Sequence, residues 1–184
     1  IFMDAFTADK YREAKIAEVP VDETKLSTFY EENKASFDYN TVRHILVTCA
    51  RDAEDAVVQE KKKLAQDILD RVNNGEDFAA LAKEFSEDDG SKDTGGVYDV
   101  YQSTNFVPEF KEWAFTAKVG ETGIVQSDYG FHVMKLDAIN NTLETINREN
   151  LVKSYQSNEY QTKINEALND GTVKVEILEG FSDY

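Results

Sequence analysis

Two stretches alternate so strictly that they leave little choice of structure: Val42-Arg43-His44-Ile45-Leu46-Val47, and much later Gly130-Phe131-His132-Val133-Met134-Lys135-Leu136. Successive side chains of an extended chain point to opposite faces. Both stretches therefore read as half-buried strands, with His44 on one face beside Leu46, and His132 beside Met134 and Leu136. These 2 histidines are the whole histidine complement. A single histidine on an apolar strand face is most often a satisfied core residue. Two in matched settings point to a shared site, although spacing alone does not make the strands neighbours.

A chain of 184 residues is long enough for one full core, or for a compact domain with attached arms. It is 41% hydrophobic and 11% aromatic, which suits a folded protein. No stretch approaches the roughly twenty apolar residues that span a membrane. A net charge of -16 argues against nucleic acid, whose phosphates need clustered Lys and Arg. Basic or unfolded polypeptide is the better electrostatic match. Cys49 is alone, so no internal disulfide forms, and it reads as a small apolar residue at a strand end.

Taken in order, residues 1–39 read as helical, with Asp22-Glu23-Thr24 ahead of Leu26, Phe29 and Tyr30 at helical spacing. A strand follows over residues 41–48. Asp52 is then the expected N-cap of a long helix that turns Val57, Leu64, Ile68, Leu69 and Val72 inward and closes at Asn74-Gly75. Asp77 starts a shorter helix carrying Phe78, Leu81, Ala82 and Phe85. Residues 86–96 are loop and 97–101 a short strand. Pro108 suits the first turn of a helix containing Phe110, Trp113 and Ala114. Strands over 123–126 and 131–138 are joined by the turn Asp128-Tyr129-Gly130. Four strands with helices between them make a small α+β fold. Beyond Ile139 the chain is helical again, and Thr172-Val173-Lys174-Val175-Glu176-Ile177 alternates as an exposed strand.

His44-Ile45-Leu46-Val47, Asn74-Gly75-Glu76-Asp77-Phe78, Leu81-Ala82-Lys83-Glu84-Phe85-Ser86, Gly90-Ser91, Gly95-Gly96, Phe106-Val107-Pro108-Glu109-Phe110, Val119-Gly120-Glu121 and Tyr129-Gly130-Phe131-His132-Val133 follow one another in this order. The series resembles parvulin-type peptidyl-prolyl cis-trans isomerases. The flanking arms, with Phe29-Tyr30-Glu31-Glu32-Asn33-Lys34 before the domain, resemble the foldase lipoproteins of Gram-positive bacteria.

The resemblance implies a four-stranded antiparallel sheet surrounded by helices over residues 40–138. It also implies that arms 1–39 and 139–184 form a second, chaperone-like lobe. His44 and His132 match the family's paired histidines, and Asp88 falls where the family carries a Cys or Asp facing the substrate; these three are the candidate catalytic residues. Phe106 and Phe110 match the proline-pocket lining, and Ser127 and Tyr129 the hydroxyl-rich turn. With Met134 and Tyr98 they make the candidate substrate-binding set. The implied partners are unfolded secreted polypeptides containing X-Pro, with no nucleic acid and no cofactor, and a homodimer through the arms is a further option. The implied location is the extracellular face of the cell membrane, through a lipid anchor on a cysteine upstream of this chain.

One departure stands out. The family's Gly-Gly-Asp-Leu-Gly run is here Gly95-Gly96-Val97-Tyr98-Asp99, with Tyr98 where a leucine floors the pocket and Asp99 where a glycine gives backbone freedom. Two roles for Tyr98 stay open, a smaller pocket or an added hydroxyl. The chemistry needs no nucleophile. Rotation about a peptide bond faces a barrier of about 18–20 kcal/mol, and a site that binds the twisted amide better than the planar one lowers it. The loop Ala50-Arg51-Asp52-Ala53-Glu54-Asp55 is a poor anion site, which points to non-phosphorylated X-Pro segments. Two rival readings remain. One is a parvulin-fold chaperone that binds unfolded polypeptide with little or no turnover. The other is a metal site of His44, His132 and Asp88, but no short ligand motif accompanies it, so no metal is expected.

Overall fold

A computed structural model describes residues 5–172, and the expected strand over 172–177 lies, but for its first residue, outside them. The helices α1 (Ala5–Ala17) and α2 (Glu23–Glu32) come first. Then follow α3 (Lys34–Phe37), β1 (Tyr39–Thr48), α4 (Asp55–Asn73), α5 (Phe78–Phe85) and β2 (Val97–Tyr101). After them come α6 (Pro108–Thr116), β3 (Thr122–Ser127), β4 (Gly130–Asn140) and α7 (Arg148–Asn169). The chain divides into two compact units, one formed by Lys34–Ile146 and the other by the segments on either side of it.

The central unit is α+β. Its sheet has the order β2-β1-β4-β3 with every pair antiparallel, so the two histidine strands lie side by side in the middle. Alternation then sorts the residues into two layers. Ile45, Val47, Phe131 and Val133 face Ala65 and Ile68 of α4 and Phe78, Leu81 and Ala82 of α5. Val42, Met134, Leu136 and Val100 face Phe110 and Ala114 of α6. His44, Leu46 and His132 belong to this second face, at the end that α6 leaves open.

Local chemistry sets the helix ends. Asp77 caps α5 by accepting from the Ala80 N–H at 2.7 Å, and Pro108 opens α6, where no intrahelical N–H is needed. Gly75, at φ +87°, ends α4 in the left-handed conformation. Two expectations are corrected here. The α4 helix starts at Asp55, with Glu54 at its N-cap position and no side-chain cap, so Asp52 does not cap it. Val57, expected to point inward, lies in the first turn of this helix and is exposed.

Asp99 also differs from expectation. No non-glycine residue among those described has a positive φ, and Asp99 sits in β2 opposite Thr41, whose hydroxyl donates to its carboxylate at 2.8 Å. The sheet, not a glycine-like turn, fixes its backbone.

In the helical unit, Asp22 caps α2 by accepting from the Thr24 and Lys25 N–H groups. Leu26 and Tyr30 of α2 and Leu151 and Tyr155 of α7 are buried, and Phe29 meets Tyr155 edge to face at 5.9 Å. Tyr155 therefore belongs to the core of this unit. No helix among the described residues is long and apolar enough to cross a membrane.

Candidate active site

The sheet register builds the site. Leu46 lies opposite His132, and Met134 opposite His44, so the two imidazoles sit one pair apart on the same face. The loop after α5 is tied to β1 at several points. Ser86 Oγ accepts from the Leu46 N–H at 3.1 Å and from the Asp88 N–H at 3.3 Å, and the Glu87 N–H donates to the Leu46 carbonyl at 2.9 Å. These bonds hold Asp88 beside His44. The His44 N–H donates to the Gly96 carbonyl at 2.8 Å, which brings β2 and Tyr98 in on the other side.

A chain of hydrogen bonds results. His44 Nε2 is 2.9 Å from Asp88 Oδ2, His44 Nδ1 is 3.3 Å from His132 Nδ1, and His132 Nε2 is 2.8 Å from Ser127 Oγ. Burial drives the charged form out of both rings. It lowers His44 although Asp88 opposes it, and it lowers His132 to about 4 with the help of His44, against the pull of Asp88. For Asp88 burial pushes the carboxyl up, but donation from Ser91, His44 and Tyr98 outweighs it and holds the group below its ordinary value.

The proton positions follow from these charges. Ionised Asp88 only accepts, so His44 carries its proton on Nε2 and offers Nδ1 as an acceptor. His132 must then donate from Nδ1, and its Nε2 accepts from the Ser127 hydroxyl. Ser127 Oγ accepts in turn from the Tyr129 N–H at 3.1 Å. Every link has one donor and one acceptor, so two neutral tautomers are fixed over the full length. His44 stands between Asp88 and His132, so the three groups point along a line and not at one common point where an ion would sit.

Beside this chain opens a cavity of about 210 Å³, lined by His44, Leu46, Asp88, Tyr98, Asn105, Phe106, Val107, Phe110, Tyr129 and His132. Liquid water takes about 30 Å³ per molecule, so the space holds several waters or one small ring. Its wall is aromatic: Phe106 and Phe110 stack at 4.8 Å, and Tyr98 meets Phe106 edge to face at 5.2 Å. Among the described residues, no lysine or arginine lines it.

Of the candidate residues, His44, Asp88, His132, Tyr98, Phe106, Phe110 and Tyr129 meet at this cavity. Met134 and Ser127 do not line it. Met134 is fully buried in the layer with Phe110 and Ala114 of α6, and Ser127 acts behind His132. Sequence reasoning passed over Leu46, Asn105, Val107 and Ser91. Leu46 was signalled by its place two residues from His44 on one face. Ser91 is 1% exposed, donates to Asp88 Oδ2, and lies 3.2 Å from His44 Nε2. Asn105 and Val107 flank Phe106 in a loop with no periodicity to mark them.

The buried neutral imidazole gives the fold a pH dependence. The unfolded chain binds a proton at His132 near the ordinary histidine value of 6.5, whereas the folded chain refuses it until about 4. This part of the stability is complete above that ordinary value and is lost as pH falls toward 4, by up to about 1.4 kcal/mol per pH unit. Urea midpoints taken between neutral and mildly acid pH are expected to fall steadily, and to fall less in His132→Asn.

Two adjacent central histidines, an ionised carboxylate and an aromatic hollow under one open end of a β2-β1-β4-β3 sheet define a domain of the parvulin-type peptidyl-prolyl isomerase class. Residues 24–139, more than half of the chain, match the PPIC-type peptidyl-prolyl isomerase (PPIase) domain, and the chain belongs to that family. It is 34% identical over 177 residues to foldase protein PrsA of Caldanaerobacter subterraneus subsp. tengcongensis, a match covering 95% of this chain and 53% of that protein. It is also 40% identical over 107 residues to chaperone SurA of Chromohalobacter salexigens, covering 58% of this chain and 24% of the other. The chain spans about half the length of the curated PrsA relatives it matches. PrsA from Bacillus subtilis shares the fold with a TM-score of 0.50 at 20% identity, over 97% of this chain and 72% of that one.

Proposed function

We propose that this chain is a foldase that catalyses cis-trans isomerisation of non-phosphorylated X-Pro bonds in unfolded or partly folded secreted polypeptides. The observation that carries the reading is the cavity, with an aromatic wall on one side and ionised Asp88 on the other. A proline ring against Phe106 and Phe110 would sit in a space poor in water, and water is what stabilises the polar planar amide.

Resonance places partial negative charge on the oxygen of a planar amide, and twisting withdraws it. A fixed carboxylate near that oxygen therefore raises the planar state more than the twisted one, which lowers the barrier. The histidines hold Asp88 in place and transfer no proton. A lining without lysine or arginine leaves a phosphate facing Asp88 with no counter-charge. Unmodified peptides are expected to turn over at least as fast as the matching phospho-Ser-Pro peptides in exchange-NMR assays. Strong preference for the phosphorylated series would refute the substrate class.

The helical segments around residues 34–146 would serve as the client-holding lobe. Placement on the extracellular face of the cell membrane, through a lipid anchor upstream of this chain, rests on the resemblance to the foldase lipoproteins. One observation favours a second reading, a binding module without turnover: the Tyr98 hydroxyl donates to Asp88 Oδ2 at 3.1 Å and so occupies the carboxylate that the substrate would meet. Aggregation suppression by a chain that leaves X-Pro exchange at its uncatalysed rate would support it.

A further inference from the structure

Three donors converge on a single oxygen of Asp88. Oδ2 receives the His44 ring at 2.9 Å, the Ser91 hydroxyl and the Tyr98 hydroxyl at 3.1 Å. Among the described residues, Oδ1 accepts only from the Gly90 N–H, at 3.3 Å. Tyr98 reaches this oxygen from β2, the opposite side of β1 from His132, and its ring meets His44 at 5.4 Å and Phe106 at 5.2 Å. One side chain thus touches the carboxylate, the first histidine and the aromatic wall.

Gly90 is built to admit it. A Cβ on Gly90 would lie 2.6 Å from the Tyr98 hydroxyl oxygen. Gly90 is not among the glycines at positive φ, so the backbone accepts alanine there and the nearest obstacle is the tyrosine's oxygen.

We infer that Tyr98 is a positioning residue: its hydroxyl holds Asp88 by Oδ2 and so fixes the carboxylate at the cavity that both residues line, and its ring ties that carboxylate to the wall against which a substrate proline rests. The inference rests on the isomerase reading for its catalytic meaning, but not for the bond itself. His44 from β1, with His132 behind it on β4, and Tyr98 from β2 are the titratable groups that face Asp88. Its loop neighbours are engaged elsewhere, Glu87 with Thr48 and Asp89 with Lys92, and the opposite wall of Phe106 and Phe110 carries no charge.

Two substitutions test this by independent routes. Tyr98→Phe keeps the ring and removes the donor, and Gly90→Ala keeps the donor and pushes it away. Carbon-13 NMR of the aspartate carboxyls, assigned with Asp88→Asn, follows Asp88 without any need for activity. Both variants are expected to move its titration to higher pH, and the double variant to move it no further than the larger single effect, because one bond is being lost. In the isomerase assay Tyr98→Phe is expected to lower kcat by roughly threefold to tenfold with KM within about twofold, and to carry the acid limb of the pH profile upward with Asp88. An Asp88 titration that stays at the wild-type position in both variants would overturn the inference. If the wild type shows no turnover the isomerase reading fails, and the titration still decides the role of Tyr98.

Discussion

Gly96→Ala is expected to cost about 3 kcal/mol or more and to abolish the site, although it adds a single methyl group. Gly96 has φ +75°, a conformation that L side chains rarely adopt, and its Cβ would lie 2.3 Å from the His44 carbonyl oxygen. That oxygen belongs to the central strand, so nothing flexible can give way. Relief would need β1 and β2 to part, which breaks the His44 N–H bond to Gly96 and withdraws Tyr98 from Asp88. Gly75→Ala separates the two causes, because Gly75 has φ +87° but nothing within 4 Å of its Cβ position. It should cost only the conformational strain, about 1–2 kcal/mol. Denaturant unfolding of the two variants checks both values, and a Gly96 variant no less stable than the Gly75 variant would contradict the close-approach argument.

Phe110→Ala is expected to lower stability by about 3–5 kcal/mol and to remove isomerase activity more completely than it weakens the fold. Phe110 is 1% exposed and belongs to the layer that joins α6 to the sheet. It stacks on Phe106 and meets His44 and His132 edge to face at 5.3 and 5.6 Å. Truncation opens the cavity into the core and lets water reach the hydrogen-bonded chain, so the dry wall is lost even in molecules that stay folded. Circular dichroism melts give the stability change, and activity measured well below the midpoint gives the separate loss at the site.

Much of this architecture was legible because alternation is a strong signal. The faces of β1 and β4 could be assigned from His44, Leu46, His132 and Met134 alone, and the caps at Asp22 and Asp77 follow from side-chain chemistry within a few residues. What was misread depended on contacts between distant segments. Asp99 was expected to strain its backbone, but pairing with Thr41 across the sheet gives it an ordinary strand conformation. Met134 shares a face with His132, yet α6 covers the one and leaves the other at the cavity, a difference set by where a helix crosses and not by period. Tyr98 had two open roles in the sequence, and the distance to Asp88 and the gap at Gly90 assign the hydroxyl. Ser91 stood in a quoted motif, but only the folded loop aims it at the carboxylate. Val57 was misjudged because periodicity puts it on the inward side of α4 but does not show where the packed part begins, and the helix starts two residues later than a cap at Asp52 implies.

The central claim is that an aromatic hollow facing a fixed, ionised carboxylate speeds rotation about an unmodified X-Pro bond. Exchange NMR on a short unphosphorylated X-Pro peptide, with and without substoichiometric protein, tests it most directly. Cis-trans exchange well above the uncatalysed rate with the wild type, and close to that rate with Asp88→Ala, is the predicted result. Exchange at the uncatalysed rate with the folded wild-type chain would contradict it.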